Sequence, residues 1–135
     1  MLRRILLGIG VTAMVALGTN DALARKNKSK DGDPKPVFVE KVYDFGSIEE
    51  KKGAVSHDFV FTNEGDGNLL ILNATAECGC TRPDYPKEPI APGRKKSVKV
   101  TYNPAGRPGP FDKTVTLTTN ASPRKIRLKI RGTVR

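Results

Sequence analysis

The feature that most constrains this chain is a two-residue alternation of apolar and polar side chains, which begins at Val37 and recurs in short runs to the C-terminus. Val55, His57, Phe59 and Phe61 fall on one face of an extended segment, with Ser56, Asp58 and Thr62 on the other. Successive side chains of a strand point to opposite faces, so such a segment buries one face and wets the other. The same pattern turns Val98, Val100 and Tyr102 inward over 97–102, and sets Phe111, Val115 and Leu117 against Thr114, Thr116 and Thr118 over 111–120. Over 125–134 it sets Ile126, Leu128 and Ile130 against Lys125, Arg127, Lys129 and Arg131. No window carries the 3.6-residue period of an amphipathic helix.

The punctuation between these runs is equally regular. Residues 37–43 read as a first strand, followed by a bend at 44–48, a polar turn at 49–53 and a Gly/Asp/Asn turn at 64–68. Residues 69–76 contain the most apolar run, Leu69-Leu70-Ile71-Leu72, which predicts a central strand covered on both faces. Pro83, Pro86, Pro89 and Pro92 predict that 82–93 is excluded from any ladder and forms a stiff connection crossing from one sheet to the other. Residues 103–110 read as a Gly/Pro turn. The basic outer face of the last strand reads either as an edge protected against intermolecular pairing or as a binding stripe. About seven strands in about 100 residues, with turns about every ten residues, predict an all-β, immunoglobulin-like β-sandwich over 37–135. With no long-range pair of cysteines available, its stability must come from the two apolar inner faces.

The segment before the sandwich has a different character. Arg3 and Arg4 precede an apolar run at 5–17, and Ala22-Leu23-Ala24 supplies small residues for cleavage, so 1–24 reads as a signal peptide. The apolar run is shorter than the roughly 20 residues of a spanning helix, and no transmembrane span is expected after cleavage. Residues 25–36 contain no side chain suited to a core and read as a flexible linker. The protein is therefore expected to be exported, to the periplasm or the extracellular space. Its formal net charge of +10 favours anionic partners. For an exported protein these are an anionic envelope polymer or an envelope protein, and the basic runs lack the interleaved aromatics of a nucleic-acid binder.

Chemistry is concentrated at Cys78-Gly79-Cys80-Thr81, which holds both cysteines of the chain. In an extended strand their α-carbons would lie roughly 6.5–7 Å apart, beyond the disulfide mode of about 5.5–6 Å. Gly79 can close that gap by taking a positive φ. The pair thus reads as a local disulfide, as two thiolates for copper or zinc, as a redox pair, or as idle thiols. A metal site would need a further ligand, and His57, the single histidine, is the candidate. A hydrogen-bonded residue at the core edge is the competing reading of His57. Arg82 and Arg107 would lower a thiol pKa if they stood beside the pair. The sequence carries no Ser-x-x-Lys, no Gly-x-Ser-x-Gly, no phosphate loop and no paired histidines, so no enzymatic activity is expected.

Several stretches follow one another in a recognisable order: Tyr43-Asp44-Phe45-Gly46-Ser47-Ile48, then Gly53, His57, Phe59, Phe61, Asn63 and Gly65, then Cys78-Gly79-Cys80-Thr81. Pro89-Ile90, Pro92-Gly93 and Gly106-Arg107-Pro108-Gly109-Pro110-Phe111 complete the series, with Lys113 and Asn120. This pattern resembles the exported bacterial proteins grouped as domain of unknown function 1573, similar in fold to immunoglobulin-like modules of the sperm-protein and cilia-associated type. The resemblance implies export and fold; it implies no activity. The expected function is a non-catalytic binding or assembly module of the cell envelope, with soft-metal binding or thiol redox chemistry at the cysteine pair as the alternative.

Overall fold

Eight strands in two four-stranded sheets make up the described part of the chain. The structure is a computed structural model and describes residues 32–135; the expected signal peptide and most of the expected linker lie outside that range. The strands are β1 (Pro36–Phe38), β2 (Val42–Ile48), β3 (Val55–Asn63), β4 (Ile71–Ala76), β5 (Thr81–Asp84), β6 (Lys95–Tyr102), β7 (Gly109–Thr119) and β8 (Lys125–Val134). The first sheet runs β1-β3-β6-β5 and the second β2-β8-β7-β4. All pairings are antiparallel except β2 with β8.

The alternation places the core as expected. Phe59, Phe61, Val98, Val100 and Tyr102 of the first sheet face Val115, Leu117, Leu128 and Ile130 of the second, and all are buried. Burying an aliphatic or aromatic side chain of this size is worth about 1.5–3 kcal/mol. Two sheets with facing apolar sides therefore hold together without a disulfide between them.

Five expectations about the strands need correction. The segment 37–43 is not one strand: the chain leaves the first sheet after Phe38 and enters the second at Val42. A bulge at Gly46, which has a φ of 71°, lets β2 continue to Ile48. The apolar run at 69–72 does not make a central strand, because β4 lies at a sheet edge and Leu72 is half exposed. Leu69 instead bridges to Ile90, and a register shift between Ile71 and Asn73 re-aims the side chains between them.

The proline-rich stretch does hold a ladder strand, β5, with Pro83 opposite Val100. An edge strand tolerates proline because one of its sides needs no donor. It also means that 82–93 does not carry the crossover, since β5 and β6 share a sheet; the crossover is the cysteine turn between β4 and β5. Finally, β8 is not an edge, being flanked by β2 and β7. Edge protection does not account for its basic face.

Candidate functional site

The cysteine turn joins the edge strand of one sheet to the edge strand of the other. Its geometry follows from that position. β4 ends at Ala76 and β5 starts at Thr81, leaving four residues to span the two layers. Within them the sulfurs of Cys78 and Cys80 lie at bonding distance, with the α-carbons 5.3 Å apart. Gly79 is not among the glycines with positive φ, so the approach comes from the turn itself and not from the conformation expected at Gly79. A Cβ there would meet nothing within 4 Å.

The two sulfurs have different surroundings. Cys80 is buried in the core, 5% exposed, while Cys78 is half-buried and packs against it. The backbone N–H of Cys80 donates to Cys78 Sγ at 3.2 Å, and Cys80 Sγ lies 3.6 Å from Thr81 Oγ1. The N–H of Thr81 donates to the Cys78 carbonyl at 3.2 Å and that of Asn103 to the Cys80 carbonyl at 2.9 Å. Those bonds tie the turn to β5 and to the end of β6. As a disulfide the pair closes a local loop within the turn that links the sheets; as a dithiol it offers one half-buried sulfur, Cys78 Sγ, beside a backbone N–H.

His57 lies elsewhere. It sits on β3 opposite Val100, and Val100 in turn faces Pro83 of β5, so the histidine and the β5 edge are separated by two strand spacings, about 10 Å. Its Nε2 is 2.6 Å from Glu40 Oε1, and its ring stacks on Tyr43 with centroids 3.6 Å apart. Phe59 meets the same ring edge-on at 4.8 Å. The structure brings Cys78 and Cys80 together but sets His57 beside Glu40 and Tyr43, at the other side of the sandwich. Among the described residues, no group of three or more His, Cys, Asp or Glu side chains converges on a metal position. Arg82 is exposed opposite Thr101. Arg107 acts on Tyr102, whose hydroxyl pKa is raised by burial and partly lowered again by the guanidinium charge.

Two features escape a reading based on alternation. Asn63 is fully buried and makes four hydrogen bonds: its amide donates to the carbonyls of Gly67 and Ile90, both at 2.8 Å. Its Oδ1 accepts the N–H groups of Lys35 and Gly65, both at 3.0 Å. The available signal was a polar residue in register with Phe59 and Phe61, a position that demands full satisfaction. The second feature is a groove of about 880 Å³ where the Tyr43–Ile48 and Gly106–Phe111 stretches meet, lined by Asp44, Ser47, Asp112, Arg131 and Thr133 among others. Asp44 Oδ1 accepts the Gly46 N–H at 2.8 Å, Arg131 lies 3.8 Å from Asp44 and Lys129 lies 3.6 Å from Asp112. Its carboxylates are thus already partnered by cations and a backbone donor.

Comparison with known proteins agrees with this architecture. A protein of unknown function from Porphyromonas gingivalis W83 superposes with a TM-score of 0.64 at 15% identity, over 76% of this chain and 46% of that one. The ASH / PapD-like domain of human CEP192 (PapD-like domain 7) gives 0.59 at 14% identity, over 96% of this chain and 98% of the domain. The secreted serine protease VesC from Vibrio cholerae gives 0.53 at 14% identity, over 85% of this chain but 25% of the protease. The chain thus spans less than half the length of the Porphyromonas protein and a quarter of the protease. At these identities the likeness is one of fold. No curated protein matches the sequence. The model of the family described as "Protein of unknown function (DUF1573)" matches residues 37–134, and the chain belongs to that family.

Proposed function

We propose that this protein is a non-catalytic, exported immunoglobulin-like module of the cell envelope, acting through its surface as a binding or assembly component. The observation that carries the reading is where the chemistry-bearing groups have gone. Cys80 and Asn63 are buried and bonded, His57 is stacked and paired with Glu40, and the carboxylates of the groove between β2, β7 and β8 face cations. What is left exposed is charge on the outer faces of the sheets, the currency of recognition and not of turnover. Export rests on the basic, apolar and small-residue segments at 1–24. Among the described residues no helix is long and apolar enough to cross a membrane.

The test is cell fractionation combined with site-specific photo-crosslinking from Thr101 on one outer face and Thr116 on the other. The expected result is protein in the periplasmic or extracellular fraction, beginning at Arg25, with a discrete adduct from at least one face. Retention in the cytoplasm, or the absence of adducts from both faces, would overturn it.

A second reading is favoured by one contact, the N–H of Cys80 aimed at Cys78 Sγ. When reduced, the turn supplies two thiolates for copper(I), or a dithiol for exchange, with any third ligand coming from outside the domain. Metal analysis and thiol titration of protein purified without reductant decide it. Stoichiometric copper or zinc lost in a Cys78→Ser/Cys80→Ser variant supports the site, while two oxidised sulfurs and no metal remove the metal reading.

A further inference from the structure

Besides the groove described above, the second sheet borders a cleft of quite different charge. It has a volume of about 420 Å³ and lies where the chain passes from β1 to β2. Lys35, Lys41, Lys125 and Arg127 line it, over a floor that includes Pro123 and Ile126, and no acidic residue contributes. Among the described residues none of these four cations makes an ion pair. Farther along β8, by contrast, Lys129 and Arg131 are partnered by Asp112 and Asp44.

The backbone beneath all four cations is fixed. Lys35 is held by the Asn63 side chain and by the Glu64 N–H on its carbonyl. The Lys41 carbonyl accepts the Lys129 N–H at 2.8 Å. Lys125 and Arg127 stand two residues apart on the outer face of an interior strand, about 6.6 Å from one another. Like charges carried on successive outward positions repel in the free protein, and an anion bound beside them offsets that repulsion. An arginine beside lysines suits tetrahedral oxyanions, which accept a guanidinium in bidentate fashion.

We propose that the Lys35/Lys41/Lys125/Arg127 cleft binds a phosphate-bearing polymer, one phosphate seating among the four cations that carry no carboxylate partner. The inference deepens the envelope-module reading by naming the class of partner, and it uses that reading only for the setting. A soluble polymer fits better than a membrane surface. Of the exposed valines nearby, Val37 and Val42 lie on strands of different sheets and Val39, the most exposed, on the connection between them, whereas a membrane contact needs apolar and cationic groups on one plane.

The test is titration of the purified full-length protein with inorganic polyphosphate, with phosphatidylglycerol vesicles at the same phosphate concentration as a second arm. Two variants of equal charge change are compared: Lys125→Glu/Arg127→Glu in the cleft, and Lys95→Glu/Lys96→Glu on the other sheet. The cleft variant is expected to bind polyphosphate about tenfold or more weakly, the control within about threefold of wild type, and affinity to fall with salt. A Lys125→Gln/Arg127→Gln pair gives the same reading if the glutamates prevent folding. Equal loss in both variants, no binding by wild type, or tighter binding to vesicles than to polyphosphate would overturn the proposal. Envelope crosslinking that survives in the cleft variant would leave the module reading standing while this one falls.

Discussion

The side-chain amide of Asn63 donates to the carbonyl of Ile90, 27 residues further along the chain, at 2.8 Å. That bond connects the end of β3 to the loop between β5 and β6, while the same side chain holds the entry of the domain at Lys35. A single buried amide therefore organises one end of the sandwich. Replacing it with leucine, close in volume, takes that partner from the Gly67 carbonyl and the Lys35 and Gly65 N–H groups, while the Ile90 carbonyl keeps the Leu69 N–H. Each unsatisfied buried group costs about 1–3 kcal/mol, so Asn63→Leu is expected to destabilise the domain by at least about 3 kcal/mol, read as a shift in the urea midpoint.

Tyr102 supplies a pH dependence. It is buried, stacks on Phe111 with centroids 4.0 Å apart, and has a hydroxyl pKa raised above its ordinary value of 10.0, because burial outweighs the opposing charge of Arg107. The folded state then holds its proton at pH values where the unfolded chain has released it. The contribution is fully present below pH 10 and is lost as pH rises from there through the higher folded-state value. Denaturation midpoints followed from pH 9 upward should fall in wild type, and Tyr102→Phe should flatten that fall.

Gly132 tests the packing under the groove that Asp44, Asp112 and Arg131 line. A Cβ at this position would come 2.8 Å from the Gly46 carbonyl oxygen and 2.9 Å from the Phe111 ring. The bulge of β2 and the start of β7 would both have to move, so Gly132→Ala is expected to cost about 1–3 kcal/mol. Gly79→Ala, whose Cβ meets open space, is the contrasting variant and should leave the thermal midpoint nearly unchanged.

The cysteine turn should matter less to stability than its position suggests. A cross-link closing a loop with one intervening residue constrains the unfolded chain little, below about 2 kcal/mol by loop entropy. Reduction of the wild-type protein should therefore lower the denaturation midpoint modestly and leave the circular dichroism spectrum of the sandwich in place.

Much of this architecture was legible because alternation reports which side of a strand is buried. Val55, His57, Phe59 and Phe61 do share a face, as do Ile126, Leu128 and Ile130, and two facing sheets follow from that. Alternation is silent about neighbours. Lys125, Arg127, Lys129 and Arg131 read alike on an edge strand and on the outer face of an interior one, and the parallel pairing of β2 with β8 leaves no local signature. The run Leu69-Leu70-Ile71-Leu72 misled for a related reason: a bridge to Ile90 and a register shift divide these four residues among different environments. At the candidate site, a spacing of one residue allowed the two sulfurs to meet, and the turn closes the gap without the positive φ expected at Gly79. The position of His57 depended on which strand lies between it and β5, and only tertiary structure contains that.

A domain that works by surface recognition, with its cysteine turn serving the fold, binds its partner whether or not the sulfurs are present. The most direct measurement is the binding isotherm of purified protein on isolated cell envelopes, compared between wild type and a Cys78→Ala/Cys80→Ala variant shown to be folded. Saturable binding with the same dissociation constant for both is the expected result. A folded variant that no longer binds, or a wild-type protein that never binds, would contradict it.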